Sequence, residues 1–374
     1  MVETVEYRIY PNKEQEELLQ KTFGCTRFVY NYFLDKRITL WKEHGESTTR
    51  FRQDRELTEL KQEIEWLQEP DKCALQNAIK DLDTAYKNFF ERKEFGYPKF
   101  KSTHRRRKSY STDNRVKVNE NKVFIPKLKW VKARVSKEID TQILGATVKQ
   151  VPSGKYFVCI RYETEQSDLP RTGKSVGVDV GVKDLAITSN GENFANNKRL
   201  TKSEKRLARL QRQLSRKSKD SNRREKARRK VARQYEKIAN QRKDDIHKAT
   251  TELVRNYDLI CVEDLNVKGM VRNHKLAKAV SDASMSELHR QLAYKCEWYG
   301  KTFVKIDRFY PSSQICSECG CQNEKVKDLS VRTWRCPECE AVHDRDVNAA
   351  KNILAEGKRK IGWGTPEFTL VETA

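Results

Sequence analysis

Residues 336–353, CPECEAVHDRDVNAAKNI, put two cysteines, a histidine and two aspartates within the eleven positions 336–346. Thiolates suit zinc, whereas carboxylates suit hard ions such as magnesium, so the stretch serves either one metal site or two of different chemistry. Upstream, ICSECG supplies Cys316 and Cys319, and the two CxxC pairs, closed by Cys336 and Cys339, stand sixteen residues apart. That is zinc-ribbon spacing: each CxxC makes a tight knuckle, and two knuckles complete a tetrahedron. Redox CxxC chemistry is the alternative, but two pairs at this separation argue against it. Cys321 and His343 compete as ligands, although four cysteines already close a structural shell around one zinc. Gly320 follows the first knuckle, as the turn prefers. Glu340 follows the second, where a non-glycine residue costs about 1 kcal/mol.

Three stretches offer carboxylates. In SVGVDVG a short apolar run, Val176 to Val178, delivers Asp179 to a strand. In NYDLICVEDLNV the buried-strand run Leu259 to Val262 ends in Glu263 and Asp264. In HDRDVNAAKNI, Asp344 and Asp346 open a stretch of good helix character. If both strands lie in one sheet, acids from two strands and a helix can converge, and two magnesium ions held there would suit phosphodiester hydrolysis. Strand alternation turns Glu263 and Asp264 to opposite faces, and Asp344 and Asp346 pose the same choice. Spacing decides neither.

The elements around these residues follow from composition and periodicity. The chain has 374 residues, with 76 Lys and Arg against 53 Asp and Glu, a net charge of +23. That length allows two or three domains, and that charge points to a polyanionic partner, since each neutralised phosphate releases counterions. The N-terminal MVETVEYRIYPNKEQ shows no secretory pattern and no run approaches a membrane span, so a reducing cytosol is expected and clustered cysteines read as metal ligands. Residues 3 to 10 alternate like a strand, and Asn12 to about Phe90 reads as helical, with Leu75, Ala78, Leu82 and Tyr86 on one face. The glycine and proline of EFGYPKF stop the helices, and KSTHRRRKSY follows as a basic cluster between aromatics. ILGATVKQVPSGKYFVCIRYE reads as two strands around a turn. Residues 201–243 hold eighteen Lys or Arg and four Asp or Glu, and their leucine spacing predicts a basic helical hairpin. Candidate nucleic-acid contacts are Arg105, Arg106 and Arg107 in the cluster, and Arg223, Arg224, Arg228 and Arg229 in the hairpin.

In this order, VGVDVGVKDLAITS, ICVEDLNVKGM, the CSECG and CPEC knuckles and HDRDVNAAKNI resemble the TnpB (OrfB) proteins of insertion sequences, relatives of type V CRISPR effectors. FGYPKFKSTHRRRKSY and SGKYFVCIRYE share the resemblance, which covers nearly the whole chain. It implies a multidomain α/β architecture: an RNase H-like RuvC nuclease domain over 171–315 and 343–374, with a zinc ribbon inserted at 316–342. A helical recognition lobe at 11–103 and a small β-barrel wedge from 1–10 and 104–170 complete it. It also implies cleavage of double-stranded DNA guided by an RNA from the transposon end, next to a short adjacent motif, with a separately encoded transposase as a further partner. The match assigns Asp179, Glu263 and Asp346 as the catalytic acids, and puts Lys72 and Gln76 near the adjacent motif. A nuclease-dead guided repressor would be expected to lack one of those acids. A transposase performing strand transfer could use all three.

Overall fold

The computed structural model describes residues 1–92, 94–102, 108–165, 168–328 and 330–363. Two compact units result, Met1–Glu165 and Gln166–Ala374.

In the first unit β1 (Val2–Tyr10) ends at Pro11, which has no N–H to offer a ladder. α1 (Lys13–His44) opens with a reciprocal cap: the Gln15 N–H donates to the Asn12 side chain, and Gln15 Nε2 and Oε1 face other partners, the oxygen accepting from the Asn12 N–H. α2 (Arg50–Glu63) and α3 (Lys72–Glu91) pack on it through Leu57, Leu60, Leu75, Ile79 and Leu82, burying Val29 and Phe33. The chain then forms β2 (Lys108–Thr112), β3 (Lys117–Asn119), β4 (Lys122–Ile125), β5 (Lys129–Arg134), β6 (Ile143–Gln150) and β7 (Tyr156–Glu163). These join β1 in a seven-stranded sheet of order β2-β6-β7-β1-β5-β4-β3. The first strand of the chain therefore lies inside a sheet built otherwise from residues beyond 107, antiparallel to both neighbours. Alternation explains the layering: Tyr7, Ile9, Val158 and Ile160 face a core shared with Leu19 and Phe23 of α1.

The second unit begins with β8 (Ser175–Asp179), β9 (Asp184–Thr188) and β10 (Asn193–Ala195). The hairpin follows as α4 (Arg199–Ser215) and α5 (Asn222–Asn256). α5 outruns the basic segment because Ile246, Ala249, Thr250 and Leu253 continue the buried stripe after the charge falls away. Then come β11 (Leu259–Glu263), α6 (Val267–Arg272), α7 (His274–Ala283), α8 (Met285–Trp298) and β12 (Thr302–Ile306). The small hairpin β13 (Thr333–Arg335) and β14 (Val342–Asp344) and the long α9 (Arg345–Ile361) finish the described chain.

The five-stranded sheet has the order β10-β9-β8-β11-β12, with β11 parallel to both β8 and β12. Leu259 to Val262 are all buried because helices cover both faces of this central strand. α5 and α8 cover one face with Leu253, Val254, Leu288 and Leu292, and α9 covers the other through Ile353. α9 crosses β8 so closely that a Cβ on Gly177 would lie 1.9 Å from the Ala350 carbonyl oxygen. Only glycine allows that approach, which brings the start of α9 to the end of β8.

Candidate active site and metal centre

Because β8 and β11 are parallel neighbours, paired Val178 to Val262, their carboxyl ends carry Asp179 and Glu263 to the same edge of the sheet. α9, packed on β8, adds Asp346 from its first turn. The three acids line one cleft, with about 350 Å³ of room, together with Ser312, Arg332 and Arg345. Their electrostatics are strained. Burial, then the neighbouring charges of Glu263 and Asp346, push the Asp179 carboxyl up to about 7. Burial also raises Glu263, against the hydrogen bond it accepts from the Ser312 hydroxyl. A buried carboxyl raised further by two neighbouring acids marks a donor set short of a cation, and hard oxygen ligands fit magnesium.

The partner acid of each pair has other work. Asp264 is held by Arg308 at 2.5 Å and does not line the cleft. Asp344 caps α9, its carboxylate accepting from the N–H groups of Asp346 and Val347 at 3.0 Å each. An N-cap must lie just outside the helix, which is why Asp346, one turn position inside, faces the cleft instead. Two contributors were not read from the sequence. Arg332, from the loop before β13, approaches Asp346 to 3.2 Å, and Ser312 comes from the irregular segment after β12. An arginine or a serine in such loops carries no distinguishing local signal.

The Sγ atoms of Cys316, Cys319, Cys336 and Cys339 lie within 4.8 Å of one another, with two pairs at 3.6 Å. A tetrahedral zinc with Zn–S near 2.3 Å requires sulfurs about 3.8 Å apart, so the four could hold one ion. Both knuckles turn through left-handed residues: Gly320 has φ 79° and Glu340 φ 59°, the latter a conformation a side chain disfavours. Cys321 lies outside the set. His343 is buried against Trp334, with Nε2 3.1 Å from Cys316 Sγ, placed to hydrogen-bond a ligand sulfur.

Of the candidate nucleic-acid contacts, Lys72 and Gln76 lie one turn apart on the first turns of α3, Lys72 exposed and Gln76 half-buried. In the hairpin, Arg223 and Arg229 are exposed, whereas Arg224 donates to the carbonyls of Leu214 and Lys217 and clamps the turn between α4 and α5. Arg228 is turned to Glu225 in a two-pronged pair. Arg105, Arg106 and Arg107 lie outside the described residues. Among the described residues, no helix is long and apolar enough to cross a membrane.

Three family models match this chain: one described as "Probable transposase" (OrfB_IS605) over residues 157–274, a "Cas12f1-like, TNB domain" over 286–353, and a "Helix-turn-helix domain" over 1–46. The last span is here one strand and one unbroken 32-residue helix. The chain is 40% identical over 360 residues to a "Putative RNA-guided DNA endonuclease" of Streptomyces pristinaespiralis, covering 94% of this chain and 88% of the relative. It is 34% identical to InsQ of Escherichia coli (strain K12), which bears the same description, covering 97% and 94%. Among solved structures, the Cas12f1 protein of a Cas12f1–sgRNA–target DNA complex matches with a TM-score of 0.59 at 13% identity, covering 94% of this chain and 98% of that one. That likeness is one of fold: a mixed α/β, multidomain architecture. Near-full-length identity to two such relatives, with a transposase-family model matching the segment that carries Asp179 and Glu263, means that this chain belongs to the TnpB (OrfB) family of insertion-sequence proteins.

Proposed function

We propose that the chain is an RNA-guided endonuclease that cuts double-stranded DNA next to a short transposon-adjacent motif. One observation carries the reading: three carboxylates from β8, β11 and α9 share a cleft in which the Asp179 carboxyl is pushed up to about 7. The strand order of the second unit, with its antiparallel edge strands and parallel centre, supports reading 171–315 and 343–374 as an RNase H-like RuvC domain. The zinc ribbon would be 316–342, the recognition lobe 11–103 and the wedge 1–10 with 104–170. The names of the relatives and the RNA and DNA in the Cas12f1 complex support the guided reading.

Asp179, Glu263 and Asp346 are the residues that would hold the divalent ions in this cleft. Magnesium bound there would supply an activated water and stabilise the leaving oxygen of an in-line displacement. Arg332 lies 3.2 Å from Asp346 at the cleft, placed to meet a phosphate of the strand being cut. The four cysteines would hold a structural zinc, and two of them, Cys336 and Cys339, lie between Arg332 and the start of α9 in the chain, tying both to one folded unit. Guide pairing reads the sequence, while Lys72 and Gln76 approach the adjacent motif and the exposed arginines of the hairpin meet phosphates.

The test is magnesium-dependent plasmid cleavage by protein purified with its bound RNA, beside Asp179→Ala, Glu263→Ala and Asp346→Ala. Each variant should lose cleavage by several orders of magnitude while still binding guided DNA. Full cleavage by Asp179→Ala would overturn the reading. Joined rather than broken products would point to strand transfer by the same acids.

A further inference from the structure

We propose that Ser312 is a positioning residue for Glu263, and that Asn348 and Asn352 hold Ser312 in place by gripping the segment that enters the first zinc knuckle. The inference rests on the reading of the three acids as a metal site.

Glu263 is the last residue of β11, paired with Ile306; that ladder fixes its backbone but not its side chain, and like charges at Asp179 and Asp346 face it across the cleft. Left alone, a glutamate in that field rotates away from its neighbours. Ser312 prevents this. It is 4% exposed, lines the same cleft, and its hydroxyl donates to Glu263 Oε1. An ionised carboxylate is acceptor-only, so the hydroxyl is the donor, and one carboxylate oxygen remains for a cation. Metal sites hold affinity through such partners, because a ligand that must first be oriented binds more weakly.

A serine in irregular chain is a poor anchor unless something fixes the chain. Here α9 does so. Asn352 Nδ2 donates to the carbonyls of Ser312 at 2.7 Å and Ile315 at 2.6 Å. One turn earlier, Asn348 Nδ2 donates to the Ile315 carbonyl at 2.7 Å, and its Oδ1 accepts from the Ser317 N–H at 2.9 Å. Both asparagines are buried, at 1% and 5% exposure. The helix that carries Asp346 thus also carries the clamp that sets Glu263, so the separation of two acids from different elements is held by one rigid body. The clamped residues flank Cys316, so the zinc knuckle and the acids share it.

The probe is Mn²⁺, titrated into zinc-loaded full-length protein and followed by the electron paramagnetic resonance of free ion, with Asp179→Ala defining the site. Ser312→Ala should weaken Mn²⁺ at the Asp179-dependent site about tenfold, and Asn352→Asp, which loses both donated bonds, by a similar factor. Ser312→Thr, which keeps the hydroxyl, should stay within about twofold. Zinc content of Ser312→Ala should be unchanged. In cleavage, Ser312→Ala should move the magnesium midpoint upward about tenfold while the rate at saturating magnesium stays within about threefold, a split that general loosening would not produce. Wild-type Mn²⁺ affinity in Ser312→Ala, with binding lost in Asp179→Ala, would overturn the positioning role alone. Undiminished binding in Asp179→Ala would overturn the metal site and this inference with it.

Discussion

Asp179→Asn should kill cleavage and yet make the protein more stable in the absence of magnesium. The fold holds this carboxyl at about 7 against an ordinary 3.8. A raised carboxyl is one whose charged form the fold disfavours, so it lowers stability as pH rises from about 4, and the penalty is complete above about 7. At 1.36 kcal/mol per pH unit the ceiling is about 4 kcal/mol. An open cleft admits water and ions that screen part of this, which leaves about 2 kcal/mol. For a unit of this size that is a rise in Tm of roughly 4–8 °C. The assay is thermal melting of zinc-loaded wild type and variant in magnesium-free buffer at pH 8 and pH 5. The variant's gain should be clearly larger at pH 8 than at pH 5, because most of the penalty builds up between those values as the native carboxyl ionises. Magnesium should then stabilise wild type and leave the variant unmoved. Equal melting at pH 8, or the same gain at both pH values, would refute the picture of three acids straining for a cation.

The purified protein should carry about one zinc per chain, and Cys336→Ser should lower its melting temperature, since ribbon binding energy is folding energy; metal analysis and calorimetry check both. Asp264→Ala should retain substantial cleavage, and so should Asp344→Ala, although losing the α9 cap should cost the latter about 1 kcal/mol of stability by denaturant titration. Reversing the exposed charges of Arg223, Lys226, Arg229 and Lys230 should weaken nucleic-acid binding and flatten its salt dependence, measured by binding titrations at several salt concentrations, while Arg224→Ala should instead loosen the hairpin turn. Gln76→Ala should relax the adjacent-motif requirement in a randomised-motif cleavage assay without loss of guide binding.

The sequence by itself determined whatever local spacing controls. The CxxC pairs announce four thiolates because a knuckle is a local turn, and the apolar runs before Asp179 and Glu263 announce buried strands because burial on both faces erases alternation. The basic helices were legible from leucine spacing alone, although the end of α5 was not, since charge and burial stop at different residues. Only the tertiary structure decided which acids face one another. Parallel pairing of β8 and β11 joins residues more than eighty positions apart, and a glycine without a side chain lets α9 close on them. Where spacing alone left Asp344 and Asp346 alike, the structure makes Asp344 the cap of α9 and puts Asp346 in the cleft, because a cap is defined only once the helix start is fixed in space. Ser312, Arg332, Asn348 and Asn352 reach the site from irregular chain or from across it; their work lies in through-space hydrogen bonds, which leave no periodicity to read.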